Sequence, residues 1–144
     1  MPTIEQSALV PHSASEMYAL VVDVGSYPGF VPWCAAADVL EQSATLQLAS
    51  VSIASQWQNT TFSTRNTLTA DAGVDMCLID GPFKRLAGHW RFIPLSPEAC
   101  KVELRVELDL GGLGGILGSV IERTASRVVA AFVAEAGRRY SRES

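Results

Sequence analysis

An alternation of apolar and charged residues between Ala99 and Leu110 is the clearest pattern in the chain. Every second residue there is apolar, which predicts a β-strand with one buried face and one solvated face. Shorter stretches with the same two-residue period, separated by turn residues, predict an antiparallel meander of about six strands. These strands are Ala37–Gln42, Thr45–Ser55, Thr60–Ala70, Val74–Asp80, Lys84–Pro94 and Ala99–Leu110. A further strand at Ile4–Val10 precedes them and ends at Pro11.

One predicted strand does not keep a single parity. Leu46 and Leu48 occupy one set of alternate positions, while Val51 and Ile53 occupy the other. An extra residue in the strand would bring both pairs to the same face. The pattern therefore predicts a β-bulge near Ala49 and Ser50.

The period becomes helical in the last quarter of the chain, from Leu113 to Tyr140. Larger residues recur there at helical spacing and form one stripe: Leu117, Val120, Ile121, Thr124, Val128 and Phe132. Alanines between them keep the helix slim, so that a sheet can approach it closely. The segment Gly111–Gly115 before this helix predicts a flexible hinge.

Two shorter helical segments follow the first strand. Ser13 and Glu16 have the spacing of a capping box, which predicts a helix that starts at this point and ends at Gly25. The next segment, Ser26–Trp33, contains two prolines and four large apolar residues. It has room for only a short helical turn, and its side chains must pack against another element.

A single antiparallel sheet with one wet face has to bury its other face, and only the terminal helix is long enough to cover it. We therefore expect an α+β fold in which a curved sheet of about seven strands wraps around the C-terminal helix, with the two short helices at one end. The length of 144 residues fits one domain, 1–144. No internal repeat or linker divides it.

Composition narrows the class of protein. Apolar residues make up 48% of the chain and charged residues 18%, which is typical of a globular domain. The formal net charge of −4 argues against broad, nonspecific binding to nucleic acid. The N-terminal residues lack a signal-peptide pattern, so we expect a cytoplasmic protein. The three cysteines, Cys34, Cys77 and Cys100, have no close pairing and are expected to be reduced and mostly buried.

The sequence contains none of the spacings that indicate a catalytic or metal centre. His12 and His89 fall on a loop and on an outward strand position, and neither has a metal-binding neighbour by spacing. We therefore expect no metal and no catalytic residue. Thr64 and Asn66 share a predicted inner strand face with apolar neighbours, so they either orient a ligand or bond to each other.

The basic and acidic residues near the end of the helix leave two readings open. Glu135 and Arg139 return to the stripe of Val128 and Phe132 by helical geometry. Either the helix has emerged beyond the sheet at this point, or the pair guards the mouth of a cavity.

Several segments, in order along nearly the whole chain, resemble one START-like family. They are Ala8–Pro11, Val22–Cys34, Thr64–Asn66, Asp80–Leu86 and Gly88–Phe92. This family, in the SRPBCC superfamily, includes the coenzyme-Q-binding proteins and the ribosome association toxins of the RatA type, and is often labelled cyclase/dehydrase-like. The resemblance implies a helix-grip (START/Bet v 1-like) fold with an apolar tunnel beside the C-terminal helix. The glycine-rich segment Gly111–Gly115 departs from the family pattern.

The first function that the resemblance implies is non-enzymatic binding of ubiquinone, or a similar polyprenyl quinone, in support of cellular respiration. Burying each CH₂ of an isoprene tail contributes about 0.8 kcal/mol, so no catalytic group is required. Such a carrier would also touch the inner membrane surface transiently. The predicted ligand-binding residues are Phe30, Val31, Trp33, Phe62, Thr64, Asn66, Trp90, Phe92, Leu117, Ile121, Val128 and Phe132.

The second implied function is that of a toxin that binds the large ribosomal subunit and blocks subunit association. The cations that would meet RNA phosphates are Lys84, Arg85, Arg123, Arg127, Arg138 and Arg139. A polyketide cyclase/dehydrase-like enzyme is the third function, and it rests on the family label. On the sequence alone, the quinone hypothesis ranks first and the ribosomal hypothesis second.

Overall fold

The computed structural model describes residues 3–31, 34–54, 60–81, 83–109 and 127–140. Within these ranges a seven-stranded antiparallel sheet has the strand order β1-β7-β6-β5-β4-β3-β2. The strands are β1 (Thr3–Val10), β2 (Cys34–Gln42), β3 (Leu46–Ile53), β4 (Thr60–Thr69), β5 (Gly73–Asp80), β6 (Arg85–Ser96) and β7 (Ala99–Asp109). The helices are α1 (Ala14–Val22), a 3₁₀ helix (Val24–Gly29) and α2 (Val128–Arg139). The predicted α+β fold and element order are confirmed.

The alternation in β7 produces one dry and one wet face, as predicted. Val102 and Leu104 are buried against the helices, on the inner face of the sheet. On the outer face, Arg105 pairs with Glu5 of β1 and with Glu107 of its own strand. The charged residues of β7 therefore lie on the solvent-exposed outer face and do not contribute to the core.

The predicted bulge in β3 is wrong. Register against β4 is continuous from Leu46 opposite Thr67 to Ile53 opposite Thr60. The inward positions are held by a single parity, which consists of Gln47, Ala49, Val51 and Ile53. Leu46 and Leu48 lie half-buried on the outer side because a glutamine occupies the inward position between them.

The start of α1 follows the capping box, but its end does not follow the predicted glycine. The Ser13 hydroxyl accepts a 3.0 Å hydrogen bond from the Glu16 backbone N–H, and the Glu16 carboxylate accepts one of 3.0 Å from Ser13 N–H. The helix ends at Val22, before Gly25. Its last carbonyls, which lack partners within a helix, are met by side chains from elsewhere in the fold.

Two side chains supply these partners, the half-buried Tyr27 and the buried Gln47. The Tyr27 hydroxyl donates to the Val21 carbonyl, and Gln47 Nε2 donates to the Val22 carbonyl at 2.8 Å. Burial of the hydroxyl, with a smaller effect of the nearby Asp23 carboxylate, raises the pKa of Tyr27 far above its ordinary value, so the phenol stays a donor. The end of α1 is therefore fastened to β3 and to the 3₁₀ helix.

Helix α2 packs onto the sheet through Val129, Phe132 and Ala136, which are all buried. The Val129 backbone N–H donates to Gln6 Oε1 of β1 at 3.0 Å, which fastens the helix to an edge strand. The earlier part of the predicted helix, and the predicted hinge at Gly111–Gly115, lie outside the described residues. No helix in the described part of the chain is long and apolar enough to span a membrane.

All three cysteines are free, and two of them belong to the core. Cys34 and Cys100 are buried, while Cys77 is exposed on the outer side of β5. Burial raises the pKa of the Cys34 and Cys100 thiols, which keeps them protonated and unreactive.

Candidate functional site

Phe132 stands at the centre of an aromatic cluster between α2 and the sheet. Its ring meets three others edge-on, with centroids 5.2 Å from Tyr27, 5.0 Å from Phe30 and 4.9 Å from Trp90. Trp90 in turn lies parallel to Phe92 at 6.2 Å. Four of the predicted ligand-binding residues thus form one packed group in the fold.

The other predicted wall residues are distributed around this cluster. Val31 is buried, and Phe62 is buried against Phe83 with ring centroids 5.1 Å apart. Val128 is half-buried at the start of α2. Three further members, Trp33, Leu117 and Ile121, lie outside the described residues. The role of the whole set as a ligand wall stays a prediction.

A row of buried polar groups crosses the inner face between α1 and β4. Gln47 Nε2 donates to the Val22 carbonyl at 2.8 Å and to Gln42 Oε1 at 3.3 Å. Gln47 Oε1 accepts a 2.9 Å hydrogen bond from Asn66 Nδ2. Thr64 lies on the same face of β4 and is also buried, with 6% of its surface exposed.

Gln47 is the member of this row that the sequence reasoning missed. Reading Gln47, Ala49, Val51 and Ile53 as one inward parity would have found it, and would have made the bulge unnecessary. The two leucines beside it outweighed this signal, because leucine is expected inside and glutamine outside.

Arg139 joins the end of α2 to the end of α1. Its guanidinium donates to Glu135 at 2.7 Å and to Asp23 at 3.0 Å, and it also lies 5.9 Å from the centre of the Phe30 ring. The hydrogen bond from Arg139, aided by Arg138, lowers the pKa of Glu135. Both side chains are engaged in bonds within the fold. The two alternatives for the pair, a helix end beyond the sheet or the mouth of a cavity, stay predictions.

Arg139→Met is expected to destabilise the protein at pH 7, because it removes the bonds to Glu135 and Asp23. Solvent partly screens this side chain, so we expect a loss of only about 1 kcal/mol. Since the pKa of Glu135 is lowered in the folded state, this contribution is fully present above the ordinary carboxyl value of 4.5 and is lost as the pH falls from there through the lowered folded pKa. Urea unfolding at pH 7 and pH 3 measures the difference. The control is Arg138→Met, whose 68% exposed side chain should contribute only a few tenths of a kcal/mol. Equal losses for Arg139→Met at the two pH values would contradict the assignment.

The predicted cationic residues divide into two groups. Lys84 and Arg85 are exposed where β6 begins, and Arg85 lies 3.7 Å from Glu107. Arg127 and Arg138 are exposed at the two ends of α2, about 16 Å apart along the helix axis. Arg139 is bonded to Glu135 and Asp23, and Arg138 is also paired with Glu135. Arg123 lies outside the described residues.

The two arginines at the ends of α2 share one side of the helix. They are eleven positions apart, about three helical turns, so both point to the same side. The exposed residues between them are small, namely Ala130, Ala134 and Gly137. We call the solvent-facing side formed by Arg127, Ala130, Ala134, Gly137 and Arg138 the arginine ridge.

The two histidines lie far apart in the described part of the fold and have different surroundings. His12 is 6% exposed, and its ring centre lies 6.1 Å from that of Tyr140. His89 lies on the outer side of β6, between Asp75 and Arg105 in register. Within residues 3–31, 34–54, 60–81, 83–109 and 127–140, no group of three or more potential ligands could hold a metal ion.

The chain matches the family model described as polyketide cyclase/dehydrase and lipid transport over residues 10–133. It is 41% identical over 143 residues to ribosome association toxin RatA of Escherichia coli strain K12. The match covers 98% of this chain and 90% of that protein. It is 29% identical over 144 residues to the mitochondrial coenzyme Q-binding protein COQ10 homolog B of Xenopus laevis. That match covers 96% of this chain and 59% of that protein.

Solved structures confirm the architecture. The Zhui aromatase/cyclase from Streptomyces sp. R1128 superposes with a TM-score of 0.82 at 19% identity, covering 98% of this chain and 96% of that one. A START superfamily protein from Mycobacterium smegmatis superposes with a TM-score of 0.76 at 17% identity, covering 94% and 97%. At these identities the likeness shows the START-like fold alone.

Proposed function

Because the chain belongs to the polyketide cyclase/dehydrase and lipid transport family, and resembles bacterial ribosome association toxins over nearly its whole length, we propose that it is a non-catalytic protein that associates with the ribosome. The observation that carries this proposal is the 41% identity to RatA over 98% of the chain. The partner is the large ribosomal subunit, and the effect is to block subunit joining.

The order of the first two hypotheses is therefore reversed. The sequence reasoning ranked quinone binding above ribosome association. The coenzyme Q-binding relative is only 29% identical and is matched over 59% of its length, whereas the toxin is matched over 90%. The ribosomal hypothesis has the better support.

We assign the arginine ridge as the surface that meets ribosomal RNA. Arginine binds phosphate with a planar, multiply donating group, and small residues between two arginines let a phosphate backbone approach the helix closely. The ridge is local, so it is compatible with the net charge of −4. Lys84 and Arg85 form a second, separate cationic site on the sheet.

Overexpression of the protein is expected to reduce the fraction of joined ribosomes and raise that of free subunits in sucrose gradients. Binding to purified large subunits should weaken with salt, since each phosphate contact releases counterions. The double variant Arg127→Glu/Arg138→Glu should weaken binding and reduce the slope of log affinity against log salt by about two.

The control is Arg65→Glu, which makes the same Arg→Glu replacement once, with half the charge change of the double variant, at an exposed arginine on the outer side of β4. It should bind as the unaltered protein does. Unchanged subunit profiles on overexpression, or binding that is indifferent to salt, would contradict the ribosomal function. Equal loss in Arg65→Glu and in the ridge variant would contradict only the assigned surface.

Binding of an apolar ligand is the second candidate function, favoured by the buried aromatic cluster and the polar row beside it. A polyprenyl quinone is the ligand that the coenzyme Q-binding relative suggests. Protein purified without detergent and examined by native mass spectrometry would carry such a quinone if this function is correct. The cyclase/dehydrase hypothesis would require Thr64→Val or Asn66→Leu to change the turnover of an assigned substrate.

A further inference from the structure

Asn66 Oδ1 is a buried acceptor without a hydrogen-bond partner among the described residues. The residue is 4% exposed and stands on the inner face of β4. A buried amide oxygen that makes no hydrogen bond is unfavourable, so groups of this kind usually meet a donor. The Asn66 oxygen therefore lacks a donor among the described residues, whereas both Gln47 side-chain atoms and the Asn66 nitrogen are bonded.

The order of donors and acceptors along the polar row determines which side-chain atom of Asn66 lacks a hydrogen-bond partner. A backbone carbonyl can only accept, so the Gln47 atom that meets the Val22 carbonyl must be the amide nitrogen. Gln47 Oε1 then faces Asn66 and requires a donor, which the Asn66 amide nitrogen supplies at 2.9 Å. The remaining atom is the Asn66 oxygen. Turning either amide around would place two like atoms against each other.

The surface next to this oxygen is apolar and incompletely filled. Met76 lies directly opposite Asn66 in the register, and Gly88 and Val106 continue the same row across the next two strands. These three residues face inward, yet each stays only half-buried, unlike Trp90 and Leu104 in the next inward row. The inner face is therefore accessible along this row, and the flexible Met76 side chain is the one that can move to admit a group.

The geometry points to an interior binding site for an apolar molecule that carries a hydroxyl group, which donates a hydrogen bond to Asn66 Oδ1 while its apolar body lies along Met76, Gly88 and Val106. Phenols and alcohols meet this requirement. A quinone or ether does not, because it offers oxygen acceptors only. The site lies on the inner face of the sheet and does not include the arginine ridge. The proposed ligand site and the proposed ribosome-binding surface can therefore fail separately.

The test compares 4-octylphenol with 4-octylanisole, whose oxygen carries a methyl group in place of the proton. In a purely apolar cavity the anisole would bind at least as well, because it has no hydroxyl group that must give up a donated hydrogen bond to water. Isothermal titration calorimetry is expected to show the phenol binding about tenfold more tightly. Equal affinities, tighter binding of the anisole, or no binding of either molecule would overturn the proposal.

Asn66→Leu should abolish the preference for the phenol while the anisole still binds, which also shows that the variant is folded. The control Thr67→Val changes the neighbouring residue on the outer side of the same strand and should keep the preference. A preference that survives in Asn66→Leu would overturn the assignment to this residue.

A second measurement uses the unaltered protein and does not depend on the folding of a variant. The side-chain amide resonances of Asn66 in a ¹H–¹⁵N spectrum should shift when 4-octylphenol is added and stay in place with 4-octylanisole. Identical responses to both molecules would overturn the proposal.

Discussion

Phe132→Ala is expected to lower the free energy of unfolding by about 3–5 kcal/mol, the largest effect of any single substitution considered for this protein. The ring is 2% exposed and lies between α2, the 3₁₀ helix and the sheet. Truncation removes three edge-on ring contacts, to Tyr27, Phe30 and Trp90, and leaves a cavity that rigid aromatic neighbours cannot fill. Small domains are stable by only about 5–15 kcal/mol, so much of the fold's stability depends on this residue.

Urea unfolding followed by tryptophan fluorescence measures the loss. The control is Leu9→Ala, which removes a comparable apolar side chain that is 72% exposed and should change stability by less than about 0.5 kcal/mol. A loss below about 1 kcal/mol for Phe132→Ala would show that this ring borders space rather than packed core. That result would favour its predicted role as a ligand wall.

Gly88→Ala is expected to cost about 1–3 kcal/mol or more. A Cβ atom at this position would lie 2.4 Å from the Arg105 carbonyl oxygen and 2.9 Å from Val106 Cα. Both atoms belong to the backbone of β7, so neither can move aside without disturbing the pairing of β6 and β7. The absence of a side chain at this glycine also keeps the inner face of the sheet flat in the row that contains Asn66.

Gly137→Ala is the matched control, because a Cβ there meets nothing within 4 Å. Alanine is the better helix former by about 1 kcal/mol, so this variant should be unchanged or more stable. Thermal unfolding of the two variants should therefore shift in opposite directions. A Gly88→Ala protein as stable as the unaltered one would contradict the close approach of the two strands.

Helix α2 carries different properties on its two sides. Its buried side, with Phe132 at the centre, holds the fold together, while the exposed side presents the arginine ridge. Substitutions on the ridge should change ribosome binding with little effect on stability, and Phe132→Ala should do the reverse at temperatures where it stays folded. The same element thus separates the folding role from the proposed partner role.

The local patterns of the sequence were sufficient for the architecture. Strand alternation, the capping box at Ser13 and the helical stripe each reflect a local geometry, with periods of two and 3.6 residues. The strand order needed no further information because consecutive strands of a meander pair with each other, from β2 to β7. The placement of Trp90 and Phe92 on the inner face also followed from alternation.

The tertiary structure decided what the local patterns could not. Gln47 points inward because the end of α1 brings the Val22 carbonyl to it, and a partner twenty-five residues away leaves no periodic trace. The same distant contact moves Leu46 and Leu48 outward and leaves the Asn66 oxygen as an acceptor without a partner among the described residues. Arg139 likewise links the ends of α2 and α1, because the fold brings Asp23 next to it. Periodicity reports which face a residue occupies, whereas the hydrogen-bond partner of a buried polar group depends on which elements meet.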